Sequence, residues 1–332
     1  MRAMRLRRPA PADERPLELV EVSRPEPGPG QLLLRVAACG VCRTDLQLAE
    51  GDLPARKLPV TPGHQAVGVV ELAGEGVDGW TRGDRAGVAW LGRACGECAF
   101  CLGGRENLCE RAEFTGWDRD GGYAEYVTVD ARFALRLPDS FGDADAAPLL
   151  CGGVIGYRSL RLSGIQPGQR LGLFGFGASA TLALQVANHW GCEVFVATRS
   201  PREQQRALAL GAAWAGGYED PVPARFHAAV TFAPAGSVVI RALQGLERGG
   251  TVAINAIHLD GIPAFDYGDL WLERTLRSVA NFTRQDAQEF LGLAATIPVR
   301  TEFEALPLSE ANAALQRLAA GDVSGAFVLD CR

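Results

Sequence analysis

At 332 residues, with 47% hydrophobic and 22% charged residues, the chain has an ordinary globular composition and the length of two domains of usual size. A net charge of -6 argues against the clustered basic surface that nucleic-acid binding requires. No apolar stretch follows the N-terminal arginines and no run reaches membrane-spanning length, so a soluble, cytoplasmic protein with no nucleic-acid or membrane partner is expected; its nine cysteines, in a reducing compartment, point to metal rather than to disulfides.

The first part of the chain reads as β-rich. Leu17 to Val22, Gln31 to Ala38, Gln65 to Leu72, Arg85 to Ala89 and Tyr123 to Val129 are short β-prone runs separated by glycine and proline clusters, a spacing that suits a small barrel or sandwich. Cys39 and Cys42 stand two residues apart, which fits either a redox pair or half of a zinc clamp. His64 lies in Thr61-Pro62-Gly63-His64-Gln65, a turn leading into a strand. Alone it reads as structural; the company of Cys42 makes it a ligand candidate. Farther on, Cys95, Cys98, Cys101 and Cys109 form a C-x2-C-x2-C-x7-C loop that Gly103-Gly104 lets turn back on itself. Four thiolates can close a tetrahedral shell around Zn2+ and leave no position for substrate, so a structural ion is expected, with free cysteines or two disulfides as the rival reading. A catalytic zinc needs three protein ligands and one open position; Cys42, His64 and Cys151 are the candidate set.

After about residue 145 strand and helix alternate. Arg170 to Phe174 is a short apolar strand, and Gly175-Phe176-Gly177-Ala178-Ser179-Ala180 opens a helix through Trp190. A second strand at Glu193 to Thr198 precedes a helix begun by Ser200-Pro201-Arg202-Glu203, with proline at its first position. Further strands are expected at Ala228 to Phe232, Thr251 to Asn255 and Leu276 to Val279, the rhythm of a doubly wound parallel sheet. A G-x-G-x-x-A turn between strand and helix lets the backbone approach a pyrophosphate at the helix N-terminus, so Gly175, Gly177, Ala178 and Ser179 point to a dinucleotide. Where an NAD site usually has an acid, this chain has Thr198-Arg199-Ser200. With no carboxylate to repel a 2'-phosphate and Arg199 to pair with it, NADP is favoured over NAD; if Ser200 only caps the helix and Arg199 is only solvated, either cofactor fits.

Together these stretches, with Gly40 to Asp45, Pro62-Gly63-His64, Asp120-Gly121-Gly122-Tyr123-Ala124-Glu125-Tyr126 and Ala147-Pro148-Leu149-Leu150-Cys151, resemble the zinc-dependent alcohol dehydrogenases of the medium-chain dehydrogenase/reductase superfamily over essentially the whole chain. The resemblance implies an α/β fold: a GroES-like catalytic domain over 1–146 and 298–332, and a Rossmann dinucleotide-binding domain over 147–297. It implies two Zn2+ per chain, one catalytic on Cys42, His64 and Cys151, the other structural on the four-cysteine loop; Cys39 then has no metal role. It further implies reversible hydride transfer between an alcohol or aldehyde and a nicotinamide cofactor, with the substrate oxygen on the catalytic zinc, in a homodimer or homotetramer. Polyols or other secondary alcohols are the alternative substrates, and a catalytically silent zinc-binding relative is the alternative to an enzyme.

By the same resemblance Thr44 handles the alcohol proton, Asp45 orients a ligand, Arg43 meets the cofactor pyrophosphate, and Trp90 and Trp117 line the substrate pocket, unless they are simple core packing. Three positions depart from the family pattern. Gln65 stands where a glutamate is common, Gln47 where a histidine often ends the proton relay, and Ala326 where an arginine often supports the pyrophosphate. A relay through Thr44 and the cofactor ribose direct to solvent is therefore expected. His189 and His227 read as structural or exposed, His258 as a candidate neighbour of nicotinamide or substrate, and Cys39, Cys192 and Cys331 as spare thiols.

Overall fold

In the computed structural model, which describes residues 1–257 and 259–332, the first part of the chain is built from strands. β1 (Arg2–Leu6), β2 (Leu17–Glu21) and the long β3 (Gln31–Val41) lead into α1 (Arg43–Glu50), β4 (Ala66–Ala73), β5 (Arg85–Val88) and β6 (Leu91–Arg93). The short α2 (Ala99–Leu102), β7 (Glu113–Phe114), β8 (Tyr126–Asp130), β9 (Leu135–Arg136) and α3 (Asp143–Ala146) follow. Helix and strand then alternate: α4 (Gly152–Ser163), β10 (Arg170–Phe174), α5 (Ala178–His189), β11 (Glu193–Ala197), α6 (Pro201–Ala209) and β12 (Trp214–Gly216). Next come β13 (Phe226–Thr231), α7 (Gly236–Gln244), β14 (Leu246–Ile254), α8 (Tyr267–Leu270) and β15 (Thr275–Ser278), and finally α9 (Arg284–Ala294), β16 (Phe303–Pro307), α10 (Ala311–Ala319) and β17 (Ala326–Asp330). His258 lies outside the described residues.

These elements form two units. The first comprises Met1–Cys151, Asn281–Thr296 and Arg300–Arg332. Its main sheet has the order β16-β17-β3-β4-β5-β9, and β8 pairs with β3 as well. β3 is the spine of this sheet, antiparallel to β17, β4 and β8. Leu32, Leu33 and Leu34 are all fully buried, so simple in-out alternation fails there. Register shifts against β4, one between Leu33 and Leu34 and one between Val36 and Ala38, bend the strand and turn successive side chains inward. Asn312 of α10 clamps the strand segment at Leu17, accepting from its N–H at 3.0 Å and donating to its carbonyl at 2.7 Å. Asn281–Thr296, assigned from the sequence to the dinucleotide-binding domain, packs in this unit instead, with α9 against β9.

The second unit, Gly152–Ala280 with Ile297–Val299, is a six-stranded parallel sheet of order β12-β11-β10-β13-β14-β15. The chain starts in the middle and winds outward in both directions, which puts the switch point between β10 and β13, where such sheets bind ligands. Phe174, Phe195, Phe226, Val239, Leu243 and Val252 form the core of one face, with Phe174 and Phe226 edge to face at 5.9 Å. Each such ring contributes about 1.5–3 kcal/mol on burial. α4 lies close on α5 because Gly156 has no side chain: a Cβ there would stand 2.9 Å from the Ser179 carbonyl oxygen.

Candidate active site

β3 carries the chain to Val41, and Cys42 then takes an extended backbone (φ -121°, ψ 158°) as the N-cap of α1. Asp45, in the first turn of α1, accepts from the Cys42 N–H at 2.9 Å through Oδ2 and from the Gly63 N–H at 3.1 Å through Oδ1. One carboxylate thereby fixes two chain segments to each other. The same Oδ1 lies 3.2 Å from His64 Nδ1, out of line for a well-formed hydrogen bond, and both side chains are almost wholly buried. Cys151 arrives from the far end of the unit and sets its Sγ 3.9 Å from Cys42 Sγ. The donor atoms of Cys42, His64 and Cys151 all lie within 4.8 Å of one another. The buried Thr44 hydroxyl is 3.8 Å from Cys42 Sγ.

Protonation in this cluster is shared. Cys42 is pushed well below the usual thiol range, first by its contact with Cys151 and then, against the effect of burial, by His64. Cys151 is pushed up, first by the same contact with Cys42 and then by burial. Burial alone would lower the His64 pKa, but the charge and hydrogen bonding of Asp45, followed by Cys42, raise it to about 10.

The four cysteines of the loop around α2 also have their sulfurs within 4.8 Å of one another, with Cys95 and Cys101 3.7 Å apart. A tetrahedral ion with bonds of about 2.3 Å to sulfur spaces its sulfurs roughly 3.8 Å apart, so both clusters have the donor set and the spacing that zinc takes. The backbone N–H groups of Glu97 and Cys98 hold Cys95 down to about 6, while burial pushes Cys101 up to about 12. Inside the loop the buried Glu106 accepts from Arg284 N at 3.0 Å and from its Nε at 3.2 Å, tying the loop to the first turn of α9. Nothing in the sequence pattern marks this pair, because its partners are far apart in the chain.

Trp90 stands beside His64, ring centroids 4.9 Å apart and nearly perpendicular. It stacks on Phe114 at 5.3 Å and on Trp117 at 5.6 Å. Arg56 lies 3.7 Å over the Trp117 ring, and Trp117 Nε1 donates to the Pro54 carbonyl at 2.9 Å. Trp117 is thus held by its own packing, while Trp90 is the ring next to the cluster. Phe114 and Arg56 join this stack although no sequence motif contains them; the short spacing from Phe114 to Trp117 is the one available signal.

In the second unit Gly175 turns with φ 89°, where a Cβ would meet Ala233 N at 2.9 Å. Gly177 caps α5, and a Cβ added to it would meet nothing within 4 Å, which leaves open space at the helix N-terminus in front of Ala178 and Ser179. That shape suits a pyrophosphate. Past β11, Thr198 is buried, Arg199 is exposed, and Ser200 caps α6 by accepting from Glu203 N at 3.4 Å. Tyr218 lies within the electrostatic reach of Arg199, a neighbour the sequence does not reveal. Arg43 is exposed at the start of α1. His227 accepts from Arg170 N at 3.1 Å and His189 is exposed at the end of α5, both in keeping with structural or surface roles. Cys39, Cys192 and Cys331 are free thiols buried in the core and belong to neither cluster.

Residues 28–139 match the alcohol dehydrogenase GroES-like domain. A probable alcohol dehydrogenase of Mycobacterium tuberculosis is 48% identical over 99% of this chain and 97% of its own length. The chain belongs to the zinc-dependent alcohol dehydrogenases of the medium-chain dehydrogenase/reductase superfamily. An alcohol dehydrogenase of Geobacillus stearothermophilus is 38% identical over 94% of this chain and 95% of that protein. Among solved structures, a cinnamyl alcohol dehydrogenase of Sorghum bicolor superposes with a TM-score of 0.91 at 27% identity, covering 99% of this chain and 97% of that one. A cobalt- and zinc-bound thermostable alcohol dehydrogenase of Pyrobaculum aerophilum gives 0.89 at 28% identity, covering 99% of each chain. As a member of this alcohol dehydrogenase family the protein is an oxidoreductase, and the matched domain contains Cys42, His64 and the four-cysteine loop. No helix among the described residues is long and apolar enough to cross a membrane.

Proposed function

We propose that this alcohol dehydrogenase catalyses reversible hydride transfer between an alcohol or aldehyde and NADP, at a centre where Cys42, His64 and Cys151 hold a catalytic zinc. The observation that carries the reading is the convergence of these three donors, from three separate segments, to within 4.8 Å of one another beside the Thr44 hydroxyl. Cys95, Cys98, Cys101 and Cys109 hold a second, structural zinc. The metal-bound relative from Pyrobaculum aerophilum supports metal in a chain of this fold. The catalytic zinc, when bound, supplies Lewis-acid polarisation of the substrate oxygen.

The chain's own residues do the rest. Asp45 Oδ1 stands 3.2 Å from Nδ1 of His64, and that nearby charge orients the ring so that its other nitrogen is left for the metal. Thr44 Oγ1, buried next to Cys42, accepts the substrate hydroxyl proton in oxidation and returns it in reduction. Gln47, half-buried in α1, has no titratable side chain, so a proton passed on by Thr44 would reach solvent without its help. Trp90 forms the wall of the substrate site nearest His64, with Trp117 behind it, and favours flat, unbranched substrates, which leans toward primary alcohols and aldehydes. Gly175, Gly177, Ala178 and Ser179 cradle the cofactor pyrophosphate, and Arg43 adds a charge to it. Arg199, exposed and without an ion-pair partner among the described residues, pairs with the 2'-phosphate between Thr198 and Ser200, with Tyr218 beside it.

Initial rates with NADP and NAD side by side, across a panel of alcohols and aldehydes, test this. The expected result is turnover by the zinc-loaded protein with the lower KM for NADP, and loss of that preference in Arg199→Ala. No turnover with any substrate would contradict the enzymatic reading; an NAD preference in the wild type would contradict the cofactor assignment alone.

A further inference from the structure

Asp120-Gly121-Gly122-Tyr123 has no part in the reaction proposed above, yet it carries the turn that delivers His64. Gly121 N donates to the Thr61 carbonyl at 2.7 Å, Gly122 N to that of Gly63 at 2.8 Å and Tyr123 N to that of Pro62 at 3.0 Å. Asp120 Oδ1 accepts from Thr61 N at 2.9 Å. Side chains are excluded at the contact: a Cβ on Gly121 would stand 2.1 Å from the Gly63 carbonyl oxygen, and one on Gly63 would stand 2.4 Å from Tyr123 Cδ1. The Tyr123 ring is therefore pressed onto the residue that precedes His64, and it is fully buried.

The hydroxyl at the end of that ring is also buried and has no hydrogen bond of full geometry among the described residues. Desolvating a hydroxyl without a partner is unfavourable, so its surroundings have to supply an acceptor. Burial first, and next the charge of Asp45, keep the Tyr123 phenol well above its usual range, so it stays protonated and able to donate. A carboxylate offers about four acceptor positions. Cys42 N–H and Gly63 N–H occupy two of those on Asp45, and His64 Nδ1 faces a third.

We propose that Tyr123 is a positioning residue for the reaction: its hydroxyl takes the remaining acceptor position of Asp45 and so fixes the carboxylate that orients His64. The role rests on the reading of Cys42, His64 and Cys151 as a metal centre. Tyr123→Phe removes the hydroxyl and keeps the ring on Gly63. Zinc affinities of both sites, measured by competition with a chromophoric chelator on wild-type and variant holoenzyme, and the absorption of the cobalt-substituted forms, decide the matter. The three-residue site should bind about 10- to 100-fold more weakly and its cobalt bands should shift, while the four-cysteine site in the same chain keeps its affinity and spectrum. Affinities within about twofold of wild type with unshifted bands would overturn the proposal. Equal weakening at both sites would also overturn it, by assigning Tyr123 to the fold. A wild type that binds metal only at the four-cysteine loop would defeat the underlying reading of the site, and the proposal with it.

Discussion

Cys39 and Cys42 are two residues apart in a C-x-x-C, and the fold gives them opposite roles. Cys42 leaves the strand and joins His64 and Cys151, whereas Cys39 stays in β3 with its Sγ against Gly63 and Gly122. Burial first, with the neighbouring Cys331 thiol and the charge of Asp45 acting in the same direction, keeps the Cys39 thiol protonated. A spare thiol, as the sequence alone suggests, would make Cys39→Ser nearly silent. The packing argues otherwise: serine puts a hydroxyl into this apolar site, with the Gly40 carbonyl, 3.7 Å from the present sulfur, as its available acceptor. The expected cost is about 1–3 kcal/mol. Thermal denaturation of Cys39→Ser should show a lowered midpoint with both metals retained, and an unchanged midpoint would contradict the packing argument. Donor identity makes Cys42, His64 and the four-cysteine loop legible in the sequence, because few residue types bind zinc. Tyr123, Glu106, Phe114 and Arg56 are not legible there, since their roles come from partners distant in the chain that no local pattern records.

Strands with apolar alternation between glycine and proline punctuation are legible as elements, and β3, β4, β10 and β11 appear within a few residues of their expected limits. β1 escapes a sequence reading because its Arg-Ala-Met-Arg-Leu run lacks a β-prone pattern; its pairing with β2 supplies what the local sequence does not. β12, Trp214-Ala215-Gly216, is too short to show a period, and β17 reads only as a return of the chain, though it pairs along the end of β3. β15 bears on assembly. It is the outer strand of the six-stranded sheet, paired among the described residues with β14 alone, and largely exposed. Tyr267, Trp271, Ile257 and Ile262 are exposed near it in sequence. An open strand edge calls for a partner, and these exposed apolar side chains add surface that a partner would cover. We propose that a second copy of the chain pairs there, so light scattering should give the mass of a dimer or a multiple of it, and Trp271→Glu should shift the protein toward monomer. A monomeric wild type would contradict this.

On the scale of the whole molecule, the chain builds one unit from three segments and the other chiefly from Gly152–Ala280. The residues of the two candidate metal clusters all belong to the first unit and the proposed dinucleotide turn to the second, a division visible in the sequence as a change from short strands to alternating strand and helix. The return of Asn281–Thr296 to the first unit is not visible there, because the Arg284–Glu106 contact that ties α9 to it joins residues far apart in the chain. The proposed chemistry depends on the three-residue cluster being a metal centre separate from the four-cysteine loop. The most direct test is the zinc content per chain of wild type and Cys42→Ser, determined by atomic emission together with hydride-transfer activity. Two zinc ions and activity are expected in the wild type, and one zinc ion, an intact fold and no activity in the variant. Two zinc ions with activity in Cys42→Ser, or a wild type that holds only one, would contradict that dependence.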